Sequence, residues 1–165
     1  MNQIEKYFRA EKAESLLFML VGLLAIALAL YFIVKQKESY YIGVSYPLIG
    51  IAIIQLVVGY TVYKRSPLDE TRVKSMLESH IEKIGTEEIP RMDVVMKNFV
   101  IYRWVEIILA SLGILFFFFF NQNFMMKGVG IGLNIQSLLM LILDFFAEKR
   151  GHMYLDFLKE QIQKH

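Results

Sequence analysis

Long apolar blocks without charge alternate with short charged segments along this chain. Residues 15–34, 39–63, 107–126 and 128–143 contain no Asp, Glu, Lys or Arg. A helix needs about 20 apolar residues to cross the roughly 30 Å hydrocarbon core of a bilayer. Three blocks meet that length directly, and the fourth meets it if the helix continues through Asp144 to residue 147. The pattern therefore predicts an all-α fold, a four-transmembrane-helix bundle with spans at about 15–34, 42–63, 99–120 and 127–147. Residues 1–165 then form a single integral membrane domain made of two helical hairpins. The apolar run behind the basic start is too long for a cleaved signal, so span one reads as a retained anchor.

The second and fourth spans resemble each other. Gly43 to Arg65 and Gly128 to Arg150 align without a gap at an offset of 85, sharing Gly-Val at the start and Lys-Arg at the end. A tandem duplication would produce this. So would the narrow alphabet of membrane helices combined with a basic stop, and the sequence leaves both open.

Outside the spans the apolar period becomes helical. Ile4, Tyr7 and Phe8 share one face, which predicts that residues 2–13 lie along a membrane surface. Ser66-Pro67 predicts a fresh helix start, with serine as N-cap and proline in the first turn. Val73, Leu77, Ile81 and Ile84 follow at helical spacing, and Gly85 reads as the stop. Pro90 predicts a helix running straight into span three. A C-terminal amphipathic helix is expected over 152–164, on Tyr154, Leu155, Leu158 and Ile162. Residues 66–98 thus form a helical loop whose apolar stripes suit the membrane surface, each other or a partner.

Charge orients the chain. Fourteen of the 18 lysines and arginines lie before span one, between spans two and three, or after span four; three lie in the other two connections. The positive-inside rule then predicts both termini and the 66–98 segment in the cytoplasm, an N-in/C-in multi-pass protein of a bacterial inner membrane. Composition (56% hydrophobic, mean hydropathy +0.44) agrees with a membrane protein, and there is no cysteine to form disulfides or thiolate metal sites.

Candidate chemistry is sparse. Glu14, Arg103, Glu106 and Asp144 are expected near one membrane level, where they would form a polar chamber or, more simply, an interfacial charge layer that fixes helix depth. Arg103 and Glu106, three apart, are expected to pair, with Asp144 or Glu14 reaching Arg103 from another helix. Gln55, Asn134 and Gln136 are candidate intramembrane polar contacts. Small residues at Gly22, Ala25 and Ala29, and at Gly128, Gly130 and Gly132, suit close helix packing. No catalytic constellation, cofactor site or metal site is expected, since His80, His152 and His165 all lie outside the spans. Nucleic acid is not an expected partner.

The stretches EKYFRAEK, EEIPRMDVV and GIGLNIQ…LDFFAEKRG…YL resemble a recurring type of small four-span bacterial membrane protein, over nearly the whole chain. That type has no activity to carry over. A glutamate in the first of four helices is also similar to the small multidrug resistance transporters, although Glu14 lies at the membrane edge and this chain is much longer. The expected function is a non-enzymatic membrane interaction protein, an accessory subunit or an immunity-type protein. Its partners would be the bilayer and either further copies of itself or a membrane or cytoplasmic protein, bound through 66–98 and the C-terminal helix. The alternative is a small transporter or channel with its polar chamber at the cytoplasmic side; an enzyme acting on lipid headgroups lacks an identifiable catalytic group.

Overall fold

The apolar blocks at 39–63 and 128–143 lie inside helices much longer than themselves, while those at 15–34 and 107–126 run past the ends of theirs. The structure, a computed structural model, describes residues 3–120 and 122–164. Helix α1 (Gln3–Tyr31) ends in a widened π turn (Phe32–Gln36) and is followed by α2 (Ser39–Ser79), a single-turn α3 (Ile81–Lys83), a second π turn (Ile84–Glu88), α4 (Ile89–Phe119) and α5 (Phe124–Gln163). There is no strand among the described residues. Four helices are long and apolar enough to cross a membrane, which makes this a multi-pass membrane protein by length and composition. At about 1.5 Å per residue, α2 and α5 are each about 60 Å long, twice the thickness of the hydrocarbon core. The excess length of all four helices emerges at one end, where Ile4, Val73, Met92 and Leu158 come together.

That excess builds a second core. Ile4, Tyr7 and Phe8 of α1 pack with Val73 and Met76 of α2, Ile84, Met92 and Met96 around the start of α4, and Tyr154, Leu155 and Leu158 of α5. The start of the chain therefore does not lie along a membrane surface, as its amphipathicity predicts. Its apolar face meets drier neighbours, because three other helices protrude beside it. We call this end the terminal tier.

The helix boundaries also differ from the punctuation in the sequence. Ser66-Pro67 does not start a helix: α2 passes through both residues without a break. A proline inside a helix removes one i→i−4 bond and costs about 3 kcal/mol in isolation. Here the surrounding turn is held by α1, and the Ser66 hydroxyl, instead of capping, donates to the Phe8 carbonyl oxygen at 2.9 Å. The chain turns at His80 (φ −148°, ψ 60°), and Gly85 sits inside the π turn that follows. Pro90 does lie in the first turn of α4. Residues 152–164 are no separate element, since α5 continues through Gly151, which is buried against Met96.

The two hairpins, α1–α2 and α4–α5, meet through a central pair formed by α2 and α5. Half of the most apolar window of α2 is buried, against 11% for that of α4, so α2 is interior and α4 is peripheral. The central contact is reciprocal. A Cβ on Gly43 would collide with the Met125 carbonyl oxygen and lie 3.1 Å from the Val129 nitrogen. A Cβ on Gly128 would collide with the Tyr40 carbonyl oxygen and lie 2.9 Å from the Val44 nitrogen. All three positions, 40, 43 and 44, map onto their counterparts 125, 128 and 129 at the offset of 85. Exchange of equivalent residues across one contact is the signature of a two-fold relation between the hairpins.

Inside the hairpins, counterpart positions of α2 and α5 face the helix that precedes each in the chain. Ser45 donates to the Ala29 carbonyl oxygen of α1 at 3.1 Å, while Gly130, its counterpart, lies against Gly113 and Phe117 of α4. Small residues permit this approach in lipid, where packing drives association. Gly22, Ala25 and Ala29 are all buried, and with Val44, Leu48 and Ala52 they make the core of the first hairpin.

Candidate functional site

Four candidate residues of the polar layer separate into pairs. Glu14 at the end of the terminal tier takes both its hydrogen bonds from Arg150 of α5. Arg103 of α4 pairs with Glu148 of α5, and no ion pair forms between Arg103 and Glu106, although they stand three apart on one helix. The reason is position: Glu106 faces the interior of the hairpin, whereas Arg103 is half exposed and leans along α5. Glu106 is 1% exposed, and neither of its carboxylate oxygens has a hydrogen-bond partner among the described residues. Its side chain meets that of Asp144, the residue expected to bind Arg103.

The amides are each placed differently. Gln55 is fully buried beside Gly22 of α1, with both ends of its amide unpartnered among the described residues. Gln136 is also buried and donates to the Leu48 carbonyl oxygen of α2 at 3.4 Å, leaving its own oxygen unpartnered. Asn134 donates to Gly130 of its own helix at 2.9 Å and lies against Gly113. The amides therefore do not converge on the Glu106–Asp144 pair; they sit at separate helix contacts.

The largest polar cluster is one that the sequence reading missed. Glu88, in the π turn before α4, is fully buried. Its carboxylate accepts from Arg91 at 2.6 and 2.9 Å, from Arg72 at 3.1 Å and from the Tyr154 hydroxyl at 3.1 Å. Asp69 forms ion pairs with Arg65 and Arg72 at 3.0 and 3.2 Å, and Arg65 reaches Glu11 at 3.5 Å. The Tyr7 and Tyr154 rings stack 4.0 Å apart, with the Arg150 guanidinium 5.9 Å from the Tyr7 ring. Burial pushes both phenols above the ordinary tyrosine range, and Glu11 and Glu88 respectively add to it. Burial likewise pushes the Glu11 carboxyl up, with the Arg65 guanidinium pulling it partly back. Only the i, i+3 spacing of Glu88 and Arg91 hinted at this cluster in one dimension. The other partners come from three distant segments, α1, α2 and α5.

A groove of about 520 Å³ runs beside this cluster between the start of α1 and the end of α5. Lys6 and Arg150 line it together with Asp156 and Glu160, over a floor that includes Tyr7 and Tyr154. Among the described residues no three His, Cys, Asp or Glu side chains converge as a metal site would need. The chain matches no protein-family model, no curated protein and no solved structure.

Proposed function

We propose that this chain is a non-enzymatic membrane interaction protein that binds another protein through its terminal tier, as an accessory subunit or an immunity-type protein. The observation that carries this reading is the preorganised platform. Four segments far apart in sequence close on one core, the buried Glu88 carboxylate ties three of them together, and a groove of mixed charge opens on one flank. A groove carried on a packed core, with both charges and apolar side chains in its lining, suits docking of a protein partner at a low ordering cost. The excess of basic residues at this end supports a cytoplasmic location for both termini, and with it a bacterial inner membrane. The test is native mass spectrometry of the protein extracted gently from its own membrane. A stoichiometric protein partner should accompany the wild type and be lost from Asp156→Lys/Glu160→Lys, which reverses the groove's acidic wall. A wild type that arrives without a partner, or a variant that keeps it, overturns the reading.

One observation favours transport or conduction as a second reading: Glu106, an acid buried in a spanning helix without a counter-ion. Ionisable groups at such positions are costly and usually belong to ion or proton paths. Proteoliposome flux that Glu106→Gln abolishes would move the assignment to this class.

A further inference from the structure

Charge balance around the polar layer leaves two acids over. Arg150 is committed to Glu14, and Arg103 to Glu148. Glu106 and Asp144 then face each other between α4 and α5 with no cation of their own. The charged groups acting on them from the packed helices are Arg103 of α4, already paired, and two more acids, Glu14 of α1 and Glu148 of α5. Two ionised carboxylates cannot stay in contact in apolar surroundings, because mutual repulsion adds to the loss of hydration. A positive species must lie between them.

We propose that the Glu106–Asp144 pair is a proton-binding site, in which one exchangeable proton bridges the two carboxyl groups. The donor set points to a proton over a metal ion. Two carboxyls supply too few oxygens for a hard cation, which takes six or more, and no third acidic or imidazole ligand joins them among the described residues. A bridging proton also accounts for the unpartnered state of Glu106: both of its oxygens are acceptors, and the group opposite is another acceptor until one of them is protonated. The site deepens the second reading given above and rests on it only for its use; occupancy by a proton does not require transport.

The experiment is infrared spectroscopy of the full chain in lipid nanodiscs, with the side-chain carboxyls of Asp and Glu carrying a carbon isotope label. The C=O stretch of a protonated carboxylic acid is separate from the carboxylate bands. The Glu11→Gln background removes the other carboxyl that burial pushes up. At pH 7 an acid C=O band should be present, should shift in D2O, and should be lost in Glu106→Gln and in Asp144→Asn. A pH titration of the unaltered pair needs neither variant and keeps the test informative if one of them folds poorly. No acid band anywhere between pH 5 and 8 overturns the site. A band that disappears when sodium replaces choline assigns the place to a cation and overturns the proton. A proton band without any flux in proteoliposomes retains the site and removes transport.

Discussion

Glu88→Ala is expected to open the terminal tier while the spanning helices stay folded. The substitution removes the acceptor for Arg91, for Arg72 and for the Tyr154 hydroxyl at once. Removing one partner of a buried ion pair costs about 3–5 kcal/mol, because the group left behind keeps its desolvation penalty and loses its counter-charge. Arg72 is partly exposed and keeps its ion pair with Asp69, so the lower end of that range, about 3 kcal/mol, is the expectation. Trypsin cleavage at Lys83, beside the π turn, should accelerate strongly, whereas sites within the spans stay protected. The companion variant Glu88→Met/Arg91→Met removes both charges and refills the volume. It should recover much of the loss, since a well-packed apolar replacement of a buried pair is often neutral or stabilising. Equal lability of the single and the double variant would show that the cluster does not hold this tier.

Gly128→Leu and Gly43→Leu should each separate the two hairpins. At both positions the first added carbon meets a backbone carbonyl of the opposite helix, and a backbone cannot rotate away as a side chain can. Overpacking of this kind costs about 1–3 kcal/mol and sometimes more, and in lipid no gain from water exclusion offsets lost helix contact. Because the contact is reciprocal, the two substitutions should cause similar losses in detergent melting temperature. Combined, they should lose less than the sum, since helices already apart have little left to clash. Gly50 provides the control: a Cβ there meets nothing within 4 Å, and Gly50→Ala should melt like the wild type. Additive losses, or a large loss at Gly50, would remove the two-fold contact as the organising feature.

These two results bear on different levels of the fold, and the sequence informs them unequally. Spans are legible in one dimension because transfer of about 20 apolar residues into lipid is a sum over neighbours in the chain. The offset of 85 could be read from the residues, but whether it reflected ancestry or alphabet could not. The reciprocal approach of Gly43 and Gly128 now gives it a spatial meaning. Gly22, Ala25 and Ala29 were likewise legible as a packing face, since small residues in a membrane helix have few other uses.

Where local signals competed with long-range packing, packing prevailed. Ser66 and Pro67 carry the usual chemistry of a helix start, yet α1 lies alongside and holds α2 continuous, with the Ser66 hydroxyl turned to Phe8. Arg103 and Glu106 have the spacing of an ion pair, but rotation about α4 puts one at the edge and the other inside. By itself the sequence determined that the chain is helical, how many helices can cross a membrane, and which faces need small residues, because hydropathy and helical period act between near neighbours. Only the tertiary structure decided which amphipathic stripes cover one another, which arginine serves which acid, and which carboxyls are left without one. Those depend on residues as far apart as Glu14 and Arg150 sharing one volume, and no period along the chain encodes that.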